Sequence, residues 1–492
     1  TMATQVQFRG GTTSEHASFD GVAREVTVDT DKKTVVVQDG STNGGFPLMR
    51  EDGSNSALAA GSTSDASIQF TGDANTGIYS PGADQVALVA GGNAHLKVDS
   101  TGVTVTGKLT AEDIVVDLTD AQGNTVVGEA AGDSFTGTDA NNNTLIGKDA
   151  GTAITTGDGN VAVGADALKT NTTGDHSVGI GFNALELQTT GNRNVAIGGA
   201  ALSTNVTGTY NTAVGHGTLA ASTVGLNTAV GGLALTANTS GEYNTALGTY
   251  VLDANTTGHY NTGVGMGAIG TATTAVSNTA VGYNTLNSTT ASNNTAIGRS
   301  AMSANTTGYD SVAVGAYALD HNTTGANHVA VGYGALTANT TGSHNTALGN
   351  SSLLANTTGL GNTAVGFYSL TTNIAGNNNT AIGREALKVN TGSNNTALGY
   401  QSLWSNTSGG ENVSLGMASM YANTTGEDNV AIGYNALTAN TTADKNTAVG
   451  YKALETNTTG SNNIGVGGLA LNLNTTGTQN VATGYNALGG NT

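Results

Sequence analysis

The sequence predicts an all-β fold: an elongated β-solenoid (β-roll) of about 22 coils of 17 residues, preceded by small N-terminal β domains. Three observations lead there. One repeat fills the last three quarters of the chain, turn-forming residues recur at fixed places within it, and the composition suits thin stacked units better than globular cores.

The repeat is read from the Gly that closes segments such as Asn-Thr-Ala-Val-Gly. It falls at Gly128, Gly147, Gly164 and onward to Gly450, Gly467 and Gly484, giving 22 copies. Of the 21 intervals, seventeen are 17 residues, three are 16 and the first is 19. In single-letter code the consensus is NTAVGYxALxxNTTGxx. Seventeen residues are too few for a helical hairpin, and Thr, Asn and Gly disfavour helix. Each unit therefore reads as one flattened coil. A short strand ends at the periodic Gly, a second short Ala-Leu strand follows, and Gly and Asn supply two turns at positive φ.

Column by column, the repeat predicts faces. The aliphatic before the Gly (Val163, Ile197, Val230) and the Leu four residues after it (from Leu168 to Leu488) are expected to fill the coil. The small residue between them and the strand start alternates to the opposite face. Ala162, Ala196, Ala213, Ala280, Ala313, Ala364 and Ala431 are thus expected to pack against another copy of the chain. Asn occupies 19 of the 22 positions four before the Gly, with Ser177, Ser311 and His328 as exceptions, and a stacked amide ladder is expected there. The first two copies carry Val126 and Leu145 at the small position and Gly132 and Gly151 in place of Leu. With Thr483 they read as caps. Twenty-two coils spaced like neighbouring strands would make a rod of roughly 105 Å.

Upstream of residue 123 the composition changes. Charged residues number 23 in the first 123 positions and 26 in the following 369, and both prolines, Pro47 and Pro81, lie before the break. Residues 1–55 read as a β domain of attachment type, with two strands around Asp31-Lys32-Lys33. Residues 56–123 read as a β shaft segment, and 124–492 as the solenoid.

Composition excludes several functions. A net charge of −19 disfavours nucleic acid as a partner, and zero cysteines leave no disulfide framework or thiolate metal site. Neither a secretory leader nor an apolar run able to span a membrane is expected from the sequence. Gly265 to Gly270 matches a nucleotide-loop pattern, but Gly265 is the periodic turn Gly and no βαβ context surrounds it. Asn-x-Thr sequons at Asn255, Asn305, Asn339 and Asn356 follow from the turn sequence. The eight histidines occupy different repeat positions, and no acid pair stands out. No cofactor, metal or catalytic residue is expected, and an enzyme such as a depolymerase is a distant third reading.

One column could carry recognition. The residue after the periodic Gly is variable, and it is aromatic at Phe182, Tyr283, Tyr333, Phe367, Tyr400, Tyr434, Tyr451 and Tyr485, with Trp404 and Tyr421 nearby. Such rings could contact a receptor or glycan; the plainer and favoured reading is that they cover coil edges or wedge between chains.

Three stretches resemble a known family. Residues 2–52 look like the N-terminal β domain of bacteriophage tail fibres. Residues 70–111, with the Thr76–Pro81 turn, are similar to phage fibre shaft segments. The block 124–488 resembles NTAVGYxAL arrays of cyanophage-like and marine-phage fibres, and also the coils of trimeric autotransporter adhesin heads. The resemblance implies a virion tail fibre, extracellular and homotrimeric, with other tail proteins and a host surface glycan or protein as partners. End-to-end assembly of the fibres is a further arrangement it allows. The alternative is a bacterial surface adhesin or a self-assembling extracellular filament. The resemblance implies a membrane β-barrel anchor in an adhesin and a self-cleaving C-terminal chaperone in many such fibres. With neither read after Leu488, the expectation is that a chaperone has been cleaved off or that trimerisation is arranged differently.

Overall fold

The computed structural model describes residues 119–135 and 139–490, most of 62–106, and 9–12, 14, 26–29, 34–37 and 46–47 nearer the start. Contacts divide the chain into two units, Thr1–Val116 and Asp117–Thr492.

The first unit holds two sheets. Strands β1 (Arg9–Gly11), β2 (Val26–Asp29), β3 (Thr34–Val37) and β4 (Phe46–Pro47) pair in that order. The β2–β3 pair is antiparallel, Val26 opposite Val37 and Asp29 opposite Thr34, so the two strands flank the Asp31-Lys32-Lys33 segment as expected. Strands β5 (Ile68–Phe70), β6 (Asp73–Tyr79), β7 (Val86–Ala90), β8 (Asn93–Asp99) and β9 (Gly102–Val105) form an antiparallel meander. Gly91 and Gly92, at φ 57° and 76°, make the two-residue turn between β7 and β8. Thr76 to Tyr79 belong to β6, so the turn expected at Thr76–Pro81 begins only at Ser80, whose Oγ donates to the Gly82 carbonyl. Residues 107–118 of the expected β shaft segment fall outside the described residues.

The second unit is the solenoid. Twenty-two three-residue strands, β10 (Thr125–Val127) to β31 (Val481–Thr483), form one sheet in chain order. Every neighbouring pair is parallel and in register, as in Val161 opposite Val178. The 16-residue intervals do not disturb it: Thr212 faces Thr228 as squarely as Thr228 faces Thr245. The missing residue comes out of the opposite turn, where Asn-Thr-Thr-Gly shortens to Asn390-Thr391-Gly392.

The coil contains one strand, not the two expected. After Gly164 the backbone alternates into the left-handed region at Asp166 (φ 57°) and Leu168 (φ 52°). Coil-to-coil bonding nevertheless continues through this turn: Asp166 N–H donates to the Lys148 carbonyl and Leu168 N–H to that of Ala184, both at 3.0 Å. A left-handed Leu costs about 1–2 kcal/mol. Full burial of that side chain returns about 1.5–3 kcal/mol, and Leu168 is completely buried.

The two glycine columns have different causes. Gly164 has φ 133°, and a Cβ there would lie 2.7 Å from the Gly181 carbonyl oxygen of the next coil. Gly174, in the Asn-Thr-Thr-Gly turn, is outside the positive-φ region, contrary to expectation. It is Gly because a Cβ would overlap the Gly191 carbonyl and its own turn's Asn171 Oδ1.

The strand faces are the reverse of those expected. Ala162, Ala196, Ala213, Ala280, Ala313, Ala364 and Ala431 are fully buried inside their own coil, against the Leu column, and do not face another chain. The aliphatics before the Gly point outward, Ile197 being 38% and Leu247 49% exposed. A coil this thin has room for one large side chain per layer, so Leu takes it and the strand contributes a small one. Departures from the consensus conserve that volume. Leu145 fills the strand position where Gly151 replaces Leu, and a Cβ on Gly151 would come 2.8 Å from Leu145 Cδ2. Val251 fills its coil where the adjoining strand supplies Gly263, whose Cβ would sit 2.5 Å from Val251 Cγ1.

The Asn ladder is present and is doubled. In the expected column, each Oδ1 accepts the next coil's backbone N–H, as Asn244 does from Asn261 at 3.0 Å. Most Nδ2 groups donate to a turn carbonyl, as Asn160 does to Gly174 at 2.8 Å, while those of Asn446 and Asn480 donate to the preceding Asn Oδ1. A second column is formed by the Asn of Asn-Thr-Thr-Gly, with Asn255 Nδ2 donating to Asn238 Oδ1 at 2.8 Å. Where the first column has Ser177, the second has the longer Gln188, which reaches Ser177 Oγ at 3.2 Å and accepts from Asn194 at 2.8 Å. Where the second column lapses to Ser222 or Ala272, the preceding Asn205 and Asn255 Oδ1 atoms are buried without a partner.

Candidate functional site

A rod of identical coils offers recognition only where its surface stops repeating. The residue after each strand-ending Gly turns the corner away from the sheet, and nothing in the coil's packing constrains it. Phe182, Tyr283, Tyr333, Phe367, Tyr400, Tyr434, Tyr451 and Tyr485 all stand exposed there, from 39% at Tyr400 to 79% at Tyr485.

The structure brings some of these together and leaves others apart. Phe182 has no ring partner among the described residues, and Tyr333 meets only Tyr317, edge-on at 5.9 Å. Between residues 367 and 451 the rings assemble. Arg384 occupies the same column between Phe367 and Tyr400, its guanidinium 5.9 and 5.6 Å from their centroids. Tyr434 and Tyr451 stack at 5.6 Å with planes 11° apart.

Four residues further along each coil a parallel column runs beside this one. Trp404 stacks on Tyr421 at 5.3 Å and 8°, and Lys388 Nζ lies 5.6 Å from the Trp404 ring and 5.5 Å from Tyr368. Trp404 Nε1 is buried without a hydrogen-bond partner. Glu385 holds the cations in place: it accepts from Gln401 Nε2 at 2.8 Å and lies 3.5 Å from Lys388. The Gln401 hydrogen bond, aided by Lys388 and Arg384, keeps its carboxyl below the usual range. The patch thus presents flat rings interleaved with fixed cations, which suits stacking on sugar faces and pairing with anionic substituents.

Tyr368, Arg384 and Lys388 were missed by a reading that searched one column for aromatics alone. A second set was missed too, at the position just before the Asn ladder. There Tyr243 stacks on Tyr260 at 5.1 Å and 8°, and Arg193 Nη1 donates to the Tyr210 hydroxyl at 2.8 Å. The recurrence of Tyr directly before Asn at 210, 243 and 260 was the available signal. Among the described residues no group of three or more acidic or His side chains is placed to hold a metal ion, and no helix is long and apolar enough to cross a membrane.

The N-terminal segment is similar to that of a class of phage tail fibres. Residues 6–42 match the family described as the Major tropism determinant N-terminal domain, so the resemblance seen in residues 2–52 is borne out. A tail fiber receptor-binding protein of Bordetella phage BPP-1 is 56% identical over 77 residues, 16% of this chain. The match spans 20% of that protein, so the chain covers about a fifth of its curated relative. Among solved structures, the Major Tropism Determinant U1 and I1 variants are 40% and 41% identical, over 22% of this chain and 27% of theirs, each with a TM-score of 0.10.

Proposed function

We propose that this chain is a structural tail-fibre protein of a phage virion. It is a non-enzymatic, homotrimeric rod, located in the tail and extracellular, whose variable edge contacts a host surface glycan or protein. The observation that carries the reading is the match of residues 6–42 to a tail-fibre domain, joined in one chain to a 22-strand solenoid. We assign the receptor contact to the ring-and-cation patch from Phe367 to Tyr451, because Phe367, Tyr400, Tyr434 and Tyr451 are exposed in one column with Arg384 and Met417 between them, and the last two rings stack. Immunogold with an antibody to the solenoid should label the tails of virions. Label confined to a bacterial surface, with bare virions, favours the adhesin instead. Virions carrying Trp404→Ala with Tyr434→Ala and Tyr451→Ala should adsorb to the host at least tenfold more slowly; unchanged adsorption with intact fibres removes the patch from recognition.

A further inference from the structure

The outward face of the solenoid sheet is the least explained surface of the described residues. Each strand has one inward residue and two outward ones. The outward pair is Thr, Val or Ile at the start and Val, Ile or Leu at the end, with Thr483 alone departing at the end position. Ile146, Ile197, Leu247, Ile297, Leu348 and Leu398 are each between 38% and 49% exposed. None of the 22 strands contains a charged residue, in a chain whose net charge is −19. Nothing within a single coil requires this, because the coil's own core is completed by the inward Ala and the Leu opposite.

We infer that this face seats a second copy of the same chain, strand layer against strand layer. The inference rests on the reading of the protein as a self-associating rod, and it moves the contact from the Ala column to the Thr/Val and Val/Ile/Leu columns. Three observations select a second copy as the occupant. The first is pitch. The face repeats once per strand without interruption through 22 strands, including the 16-residue intervals, whose deletions fall in the opposite turn. A surface with the same rise and the same extent is supplied by another such solenoid, whose side chains fall into the gaps between layers along the whole length.

The second is charge. The acidic residues of the solenoid lie in its turns, where two copies would repel one another, and the strand face is the side on which they meet without like charges opposed. The third is area. A strip two residues wide and 21 strand spacings long is about 7 Å by about 100 Å. That is ~700 Å² per chain before side-chain relief, close to the ~800 Å² per partner of a stable interface. Thirteen of the 22 outward start positions are Thr, so the apolar part of the strip is the continuous Val/Ile/Leu column beside them, and a long exposed apolar strip marks an interaction site.

The chain has no cysteine, which makes the test direct. Native mass spectrometry of the wild-type chain at micromolar concentration should give an oligomer; a monomer overturns the inference. Ile382→Glu with Leu398→Glu should shift the mass to the monomer with the far-ultraviolet circular dichroism unchanged. Thr307→Glu, on the exposed opposite turn, should leave the oligomer intact. Because the Glu pair could also disturb folding, single-cysteine chains provide a second measurement. Under mild oxidation Leu398→Cys should give a covalent dimer in most molecules, and Thr307→Cys should stay uncrosslinked. An oligomer that survives the Glu pair, or one crosslinked through Thr307→Cys and not Leu398→Cys, overturns the face assignment while leaving the tail-fibre reading intact. Loss of tail labelling would remove that reading without touching this one.

Discussion

Ile382 and Arg384 are separated by one glycine, yet they belong to surfaces under opposite constraints. Ile382 ends a strand, and the residues aligned with it in the other strands are Val, Ile or Leu except for Thr483. Arg384 starts the following turn, and its column runs through Glu129, Lys148, Gly199, His216, Tyr283 and Asn350. Both side chains point away from the coil. Exposure alone therefore explains neither column. The sheet face is uniform, as the proposed docking of a second copy with the same pitch requires, and the edge varies because each coil can present a different group without affecting its neighbours. The uniform face and the variable edge are separated by one glycine, Gly383, at φ 130°.

The largest effects should come from the interior that both surfaces share. Leu319→Ala empties a fully buried position and should cost about 2–5 kcal/mol, read as faster amide exchange in the coils on either side. Gly151→Leu should destabilise by about 1–3 kcal/mol through overpacking against Leu145. Combined with Leu145→Ala it should regain part of that loss, because Leu145 no longer crowds position 151 while Ile154, 2.9 Å from a Cβ there, still does. A double variant no better than the worse single would show that the exchange of large and small residues is not what holds these coils.

The next effect is set by pH. His328 sits in the Asn ladder, fully enclosed, with its Nδ1 accepting the Asn345 N–H at 3.3 Å and its Nε2 3.3 Å from Asn339 Nδ2. Burial, with a small contribution from His344, pushes it down to about 4 from 6.5. Between those values the unfolded chain binds the extra proton, so stability is complete above pH 6.5 and falls as the pH drops towards 4. The loss should approach ~3 kcal/mol and centre on the coils around residue 328. His328→Asn, which restores the ladder consensus, should abolish the slope; a slope unchanged in that variant would place the titration elsewhere. Smallest of all should be the stability change on the edge. Tyr434→Ala or Tyr451→Ala should alter unfolding by less than about 0.5 kcal/mol, while virion adsorption records the difference.

The repeat, the parallel stack and the Asn ladder were legible because each places one residue type at one interval. The orientation of the strand was not. Alternation over three residues, as in Thr-Ala-Val, states that the middle residue opposes its neighbours but not which side is interior. Hydrophobicity then favours burying Val, and the tie is broken only by the width of the coil, which the Leu column already fills. The left-handed Leu168 was equally hidden, since Leu carries no signal for positive φ and occupies it because the neighbouring coils hold it there. The paired columns of Trp404 and Arg384 required the register of two separate turn positions at once.

The unbroken strand register has a consequence for how long such a molecule can be. Removing one 17-residue unit from the consensus region leaves every remaining layer with neighbours it already accepts, and shortens the stack by about 4.8 Å. Reach can then change in fixed increments, as on a ruler whose divisions are single repeats. The exceptions are the layers that lean on each other: a cut between Ser177 and Gln188, or between Val251 and Gly263, separates residues that fit only as a pair. Those coils are the marks at which the ruler cannot be shortened.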